Sequence, residues 1–246
     1  MQTRIIYIAE LDADIDDMIA VKYLHDAGVL NGVVLDPPPS TPAGCSRKSL
    51  LESIGICFFT DIPDGTDAVY VGGALTKVAH YIQNNVLPVL VMNGGFVGDN
   101  CLPLKPQLKK FLGKKTVRTF NFNCDVDATD KVLSSPNVTK KYLIGKNVCH
   151  HERNTPERLW RSYMEGQPAQ FQTRTGKLQH DMLACHEGLA ITGLIDEKCF
   201  CKFEQLYPMN TGLNGNMTKW GSSRIPTNYR PVYAAVDWVD DIETRY

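Results

Sequence analysis

Short apolar runs rich in β-branched residues alternate along the chain with segments whose apolar positions recur at helical spacing. Each run is predicted to be a buried strand, and the runs cover residues 5–9, 32–35, 68–71, 86–92 and 141–144. A Gly, Asp or Pro stands close to the end of most of these runs. This alternation is typical of an α/β fold with a mostly parallel open sheet flanked by helices, built on a Rossmann-like core.

Helical spacing predicts helices over 17–27, 49–55, 75–84 and much of 155–190. The prolines at 37–39 predict a stiff loop over 36–42, because proline lacks the backbone donor that a helix or a central strand needs. A basic, irregular connector is expected over 105–115. The tail over 203–246 is predicted to hold strands and turns, with one turn at Asn214-Gly215.

Composition restricts the class of protein. The 246 residues are 43% hydrophobic, which fits one globular domain over 1–246 with a sizeable core. The net charge of -1 gives no indication of a nucleic acid or an anionic membrane as partner. The sequence has no long apolar run and no leader, so a cytoplasmic protein is expected. The eight cysteines form no regular framework, which favours reduced thiols.

The most unusual stretch follows the first predicted strand directly. Its eight residues contain five carboxylates, at Glu10, Asp12, Asp14, Asp16 and Asp17. Such crowding beside a buried strand is electrostatically costly unless a cation lies among the carboxylates, and hard oxygen ligands suit calcium or magnesium. The alternative is a solvated acidic loop in which Asp14 or Asp16 caps the following helix. The spacing does not match an EF-hand, so further metal ligands must come from distant parts of the chain.

A zinc site is a second metal alternative. Its candidate ligands are Cys149, His150, His151, Cys185, His186, Cys199 and Cys201. These residues do not form two paired ligand sets at the spacing of a zinc finger, so zinc is disfavoured.

Several short motifs then follow one another in a fixed order along nearly the whole chain. They occupy 10–17, 72–77, 89–95, 120–125, 148–150, 180–184 and 215–218. Residues 10–17 are similar to an Asp-x-Asp-Pro-Gly-x-Asp-Asp motif, 89–95 to a strand ending in Met-Gly-Gly, and 180–184 to His-Asp-Pro-Leu-Ala. In this order the motifs resemble those of the nucleoside hydrolases of the inosine-uridine-preferring type.

The resemblance implies a calcium ion, Ca2+, at the bottom of a pocket. The matching ligands are Asp12, Asp16, Asp17, the backbone carbonyl of Gly72, and Asp181. It also implies that a small-molecule nucleoside is cleaved at its N-glycosidic bond, in purine or pyrimidine salvage, by a homodimer or homotetramer.

The resemblance further assigns roles to single residues. Asp12 would be the general base that takes a proton from the attacking water, and His180 would protonate the departing base. Asn100 and Asn121 would bind the ribose hydroxyls, with Met92 packed beside the sugar. Asp16 and Asp181 would contact the substrate as well as the metal.

Three features depart from the pattern of that family. The segment 32–68 is shorter and has the prolines at 37–39 in place of a Gly-Gly-Asn turn. Asp14 stands where the family has Gly, and Thr119 stands where it has Glu. Substrate-binding positions that differ from the family, around metal ligands that match it, fit a hydrolase with an unusual substrate. It equally fits a catalytically silent relative that binds a nucleoside or ribosyl ligand as a sensor or effector. The base preference and the choice between ribose and deoxyribose are left open.

Overall fold

The computed structural model describes residues 3–102, 107–212 and 217–239. The start of the predicted basic connector, the predicted turn at Asn214-Gly215 and the last residues of the tail lie outside these ranges. The described residues form an α/β fold whose mostly parallel open sheet is flanked by helices. The predicted fold class is therefore confirmed.

The helices and strands have the following bounds. The strands are β1 (Ile5–Ala9), β2 (Leu30–Leu35), β3 (Phe58–Phe59), β4 (Ala68–Val71), β5 (Leu87–Asn93), β6 (Thr116–Val117), β7 (Val138–Ile144), β8 (Cys201–Thr211), β9 (Lys219–Ser223) and β10 (Val232–Trp238). The helices are α1 (Asp16–Asp26), α2 (Pro42–Ser53), α3 (Thr76–Tyr81), α4 (Phe120–Cys124), α5 (Val126–Ser134), α6 (Lys146–Cys149), α7 (Arg161–Glu165) and α8 (His180–Thr192). Short 3-10 turns span Lys109–Phe111 and Ala169–Phe171.

The described strands form one sheet in the order β3-β2-β1-β4-β5-β7-β10-β8-β9-β6. The first seven strands in this order run parallel to one another. The last three are antiparallel to their neighbours. Within the described ranges, no helix is long and apolar enough to cross a membrane.

The central strands owe their apolar sequences to burial on both faces. Every residue of β1 is buried, and its side chains alternate between two cores. Tyr7 belongs to a core with residues of α1 and α8, whereas Ile6 and Ile8 belong to a core with residues of α3 and α5. A parallel strand covered on both sides loses the apolar–polar alternation of a half-exposed strand. This is why the sequence shows a continuous apolar run there.

Several element boundaries differ from the predictions. Helix α2 begins at Pro42, inside the expected loop, because Thr41 caps it by accepting a bond from Gly44 N at 3.0 Å and proline is tolerated in a first turn. Strand β7 starts three residues earlier than predicted. The expected helical region 155–190 contains α7, one 3-10 turn and most of α8, and the rest of it is not helical.

Helix α8 has a buried carboxyl group that fastens the chain leading into β8. Glu187 is fully buried, and its Oε1 and Oε2 accept hydrogen bonds from Phe200 N at 2.7 Å and Cys201 N at 3.2 Å. Burial outweighs these bonds and raises the pKa of Glu187 to about 8. The folded protein thus holds a proton that the unfolded chain releases near its ordinary pKa of 4.5.

The titration of Glu187 predicts a pH-dependent stability. Because the folded-state pKa is raised, its contribution is fully present below about pH 4.5 and is lost as pH rises through 8, at up to about 1.4 kcal/mol per pH unit. Between pH 6 and 8, urea unfolding should show that the wild type loses about 2–3 kcal/mol more stability than Glu187→Gln. Parallel losses in the two proteins would contradict this prediction.

Candidate active site

A cavity of about 650 Å³ opens at the carboxyl ends of the parallel strands. The chain passes from β1 to β2 on one side and returns to β4 on the other, so the direction of winding changes at β1. In open parallel sheets, ligands bind at such a switch point. The cavity lining comes from the segments that follow β1, β2, β4, β5 and β7, together with α4 and the start of α8.

Three buried carboxylates form what we call the acidic floor of the cavity: Asp16, Asp17 and Asp181. Asp17 Oδ1 accepts a hydrogen bond from the Tyr7 hydroxyl at 2.7 Å, and Asp181 Oδ1 accepts one from Asn93 Nδ2 at 2.6 Å. Each of the three is more than nine-tenths buried. The structure thus brings together three residues that lie up to 165 positions apart in sequence.

A glycine makes room for this arrangement. A Cβ atom at Gly72 would lie 2.1 Å from Asp17 Oδ1 and 2.2 Å from the Tyr7 hydroxyl, so any side chain there would displace the carboxylate. Gly72 also lines the cavity.

The acidic floor carries an electrostatic cost. Burial raises the pKa values of Asp17 and Asp181 well above the usual range, and each is raised further by the negative charge of Asp16. Burial and the charge of Asp14 raise the pKa of Asp16 to about 6, although Lys177 opposes the shift. The Lys177 ammonium lies 3.1 Å from Asp16 and 3.2 Å from Asp14. Lys177 is therefore a built-in cation at one side of the floor.

Asp12, the predicted general base, is turned toward α2. Its Oδ2 accepts bonds from Ser40 N at 2.8 Å and Ser40 Oγ at 2.7 Å, and its Oδ1 accepts one from Thr41 Oγ1 at 2.8 Å. These bonds hold the pKa of Asp12 well below its usual range. The sequence could not show this contact, which spans 28 residues.

The N-cap alternative for the acidic stretch is met in part. Ile15 occupies the N-cap position of α1 and makes no side-chain cap bond. Asp14 Oδ1 accepts a bond at 2.9 Å from the backbone N–H of Asp16, the first residue of α1.

Two predicted substrate-binding residues lie outside the cavity lining. Met92 is buried in the core shared with α3 and α5, because strand alternation turns it away from the face that its neighbour Asn93 presents. Asn100 donates its amide hydrogen to Ser222 O of β9 at 2.6 Å. In contrast, Asn121 lines the cavity and donates to Asn93 O at 2.9 Å.

His180 lines the cavity, and it has a neighbour that the prediction missed. The rings of His150 and His180 have centroids 4.6 Å apart, and Lys146 lines the cavity beside them. Burial is the main reason why the pKa falls to about 3 for His150 and to about 4 for His180. Both imidazoles are therefore neutral at pH 7 and act as hydrogen-bond donors or acceptors.

The missed residues share one sequence signal. Asn93, Lys146 and His150 each stand at or just after the end of a predicted parallel strand. Polar residues at that edge of the sheet are the expected lining of a ligand site.

The chemistry of the acidic floor fits a hard divalent cation. Asp16, Asp17 and Asp181 supply carboxylate oxygens, and a dication would offset the repulsion that raises their pKa values. As the side chains stand in the described ranges, no three His, Cys, Asp or Glu residues converge to hold a metal ion. A calcium site that includes Asp12 requires its carboxylate to leave Ser40 and Thr41.

Comparison with known proteins adds no family assignment. No protein-family model matches the chain, and no curated protein matches it.

Proposed function

We propose that this protein hydrolyses the N-glycosidic bond of a ribonucleoside or a related N-ribosyl compound. One observation carries the proposal: three buried carboxylates line one cavity together with Asn93 and Asn121, at the switch point of a parallel sheet. Cleavage of an N-glycosidic bond builds positive charge on the sugar, which nearby carboxylates and amide oxygens stabilise. The acidic floor destabilises the free protein. Its presence is explained if it stabilises the positive charge on the sugar during cleavage.

The acidic floor would also hold a divalent cation, with calcium as the proposed ion. Asp16, Asp17, Asp181 and the carbonyl of Gly72 are the proposed ligands. Such an ion lowers the pKa of a bound water molecule and so makes it available as a nucleophile near neutral pH.

The other residues of the cavity would position the substrate and assist the leaving base. Asn93 and Asn121 are amides that can bind sugar hydroxyls. Because His150 and His180 are neutral at pH 7, they would assist the departing base by donating a hydrogen bond rather than by acting as imidazolium acids. Asp12 could remove a proton only after leaving its partners on α2.

A second candidate function is supported by that same Asp12 contact. A catalytically silent protein that binds a nucleoside or ribosyl ligand as a sensor has no need of a free general base. Four hydrogen bonds from Ser40 and Thr41 hold Asp12 away from such a role.

A reducing-sugar assay separates the two candidates. The protein would be incubated with purine and pyrimidine nucleosides and deoxynucleosides, first with calcium and then with a chelator, beside Asp181→Asn. Asp127→Asn is a matched control, since Asp127 is exposed on α5. We expect sugar release that requires calcium and falls by about 10²–10³-fold in Asp181→Asn only. Absence of release from every nucleoside would favour the silent binder.

A further inference from the structure

A second group of residues gives the cavity a basic side. We call Lys110, Lys146, His150 and His180 the basic wall. Lys146, His150 and His180 line the cavity, and Lys110 supports His150 with its ammonium 2.9 Å from His150 Nδ1. The cavity thus has an acidic side, formed by the carboxylates of the floor, and a basic side, formed by the segment after β7 and the first residue of α8.

The hydrogen bond from Lys110 determines the tautomer of His150. A protonated ammonium can only donate, so His150 Nδ1 accepts and the ring hydrogen resides on Nε2. His180 Nε2 is buried and has no hydrogen-bond partner within the described residues. A buried polar atom of this kind is costly unless a ligand satisfies it.

Lys146 carries a positive charge that no carboxylate pairs with. In the part of the chain that the structure describes, its half-buried ammonium makes neither a hydrogen bond nor an ion pair. On the floor, by contrast, Lys177 is paired with both Asp14 and Asp16.

We propose that the ligand of this cavity carries an anionic group, a phosphate or a carboxylate, that binds Lys146 and the His150–His180 pair. This inference rests on the proposed action on N-ribosyl compounds and specifies their class. A free anion would be repelled by the carboxylates of the floor. An N-ribosyl compound with an anionic substituent places its sugar at the floor and its charge at the basic wall. The Lys146 ammonium and the Nε2–H of His150 suit phosphate or carboxylate oxygens, and His180 Nε2 can donate as well when it carries the ring hydrogen.

Calorimetric binding to the whole chain, with calcium present and no anionic buffer, tests the proposal. Two matched pairs separate the sources of the charge: uridine against uridine 5′-monophosphate, and uridine against orotidine, which adds one carboxylate to the base. We expect at least one anionic ligand to bind ten times or more tightly than uridine. In Lys146→Gln this ratio should fall below three. The pair that shows the preference identifies the group as phosphate or carboxylate.

Control variants keep the test independent of folding. Lys140→Gln changes an exposed lysine of β7 and should keep the full preference. Lys110→Gln changes an exposed residue that only supports His150, so it should fold normally and lower the preference by a smaller factor. An attraction between calcium and phosphate alone would survive Lys146→Gln, and that result would overturn the proposal.

The remaining outcomes distinguish the anion site from the proposed hydrolase activity. Equal affinity for charged and neutral ligands, or no binding of any of the three, would overturn the anion site. A preference that depends on Lys146 without any sugar release would support the anion site and contradict the hydrolase. Sugar release from uridine with no preference for charged ligands would support the hydrolase and contradict the anion site.

Discussion

Asp17→Asn should make the cation-free protein more stable and reduce turnover by about 10³-fold. Burial and the negative charge of Asp16 raise the pKa of Asp17. A neutral amide of the same shape therefore relieves a repulsion in the folded state. The loss of the 3.3 Å bond from Glu10 N offsets part of this gain. A net gain of about 1–3 kcal/mol is expected. The same change removes one proposed ligand of the cation and one stabilising charge for the sugar.

Thermal unfolding in chelator and in calcium measures both effects. The wild type should gain stability when calcium is added, whereas Asp17→Asn should start from a melting temperature a few degrees higher and gain little. Asp127→Asn should behave like the wild type in both conditions. A less stable variant that still responds fully to calcium would show that the acidic floor does not hold the cation.

Asp12→Asn is expected to reduce kcat by about 10²–10⁴-fold if Asp12 leaves α2 to act as general base. Ser40→Ala is the matched comparison. It removes the 2.7 Å hydroxyl bond but keeps the carboxylate, and a carboxylate that is held less firmly should sustain turnover within about threefold of the wild type. Both changes weaken the contact between Asp12 and the start of α2, so both should lower the stability of the protein.

Kinetics and unfolding on the two variants together assign the role of Asp12. A large loss of turnover in Asp12→Asn alone identifies a catalytic group. Equal, small effects of both variants on stability, with turnover unchanged, would show that Asp12 only fastens the first turn of α2. In that case another residue would have to activate the nucleophile.

The sequence is sufficient for five of the seven parallel strands, β1, β2, β4, β5 and β7. Residues 5–9 and 68–71 are buried on both faces, so their apolar runs mark them as central strands. The carboxyl ends of such strands meet at one edge, which is why Asp16, Asp17 and Gly72 could be placed together in advance. The position of Asp181 in the same cavity rested on the resemblance between motifs and agrees with the structure.

The predicted positions that differ from the structure depend on single side-chain directions or on distant contacts. Met92 and Asn93 are adjacent, and strand alternation alone decides which of them faces the cavity. Asn100 was expected at the ribose, but its partner Ser222 belongs to the antiparallel part of the sheet, whose pairing leaves no local signal near residue 100. Asp12 likewise meets donors that belong to a different loop.

Strand β10 has a consequence for how the protein is made. It lies between β7 and β8, so among the described strands it is the one whose pairing joins the parallel and antiparallel parts of the sheet. Asn147, next to Lys146, donates its amide hydrogen to Ala235 O at 2.8 Å and thereby ties α6 to this strand. While a ribosome is still adding residues before 232, the two parts of the sheet cannot pair and the segment that carries Lys146 and His150 lacks this anchor. The ligand cavity is therefore not completed before residues 232–238 have been synthesised.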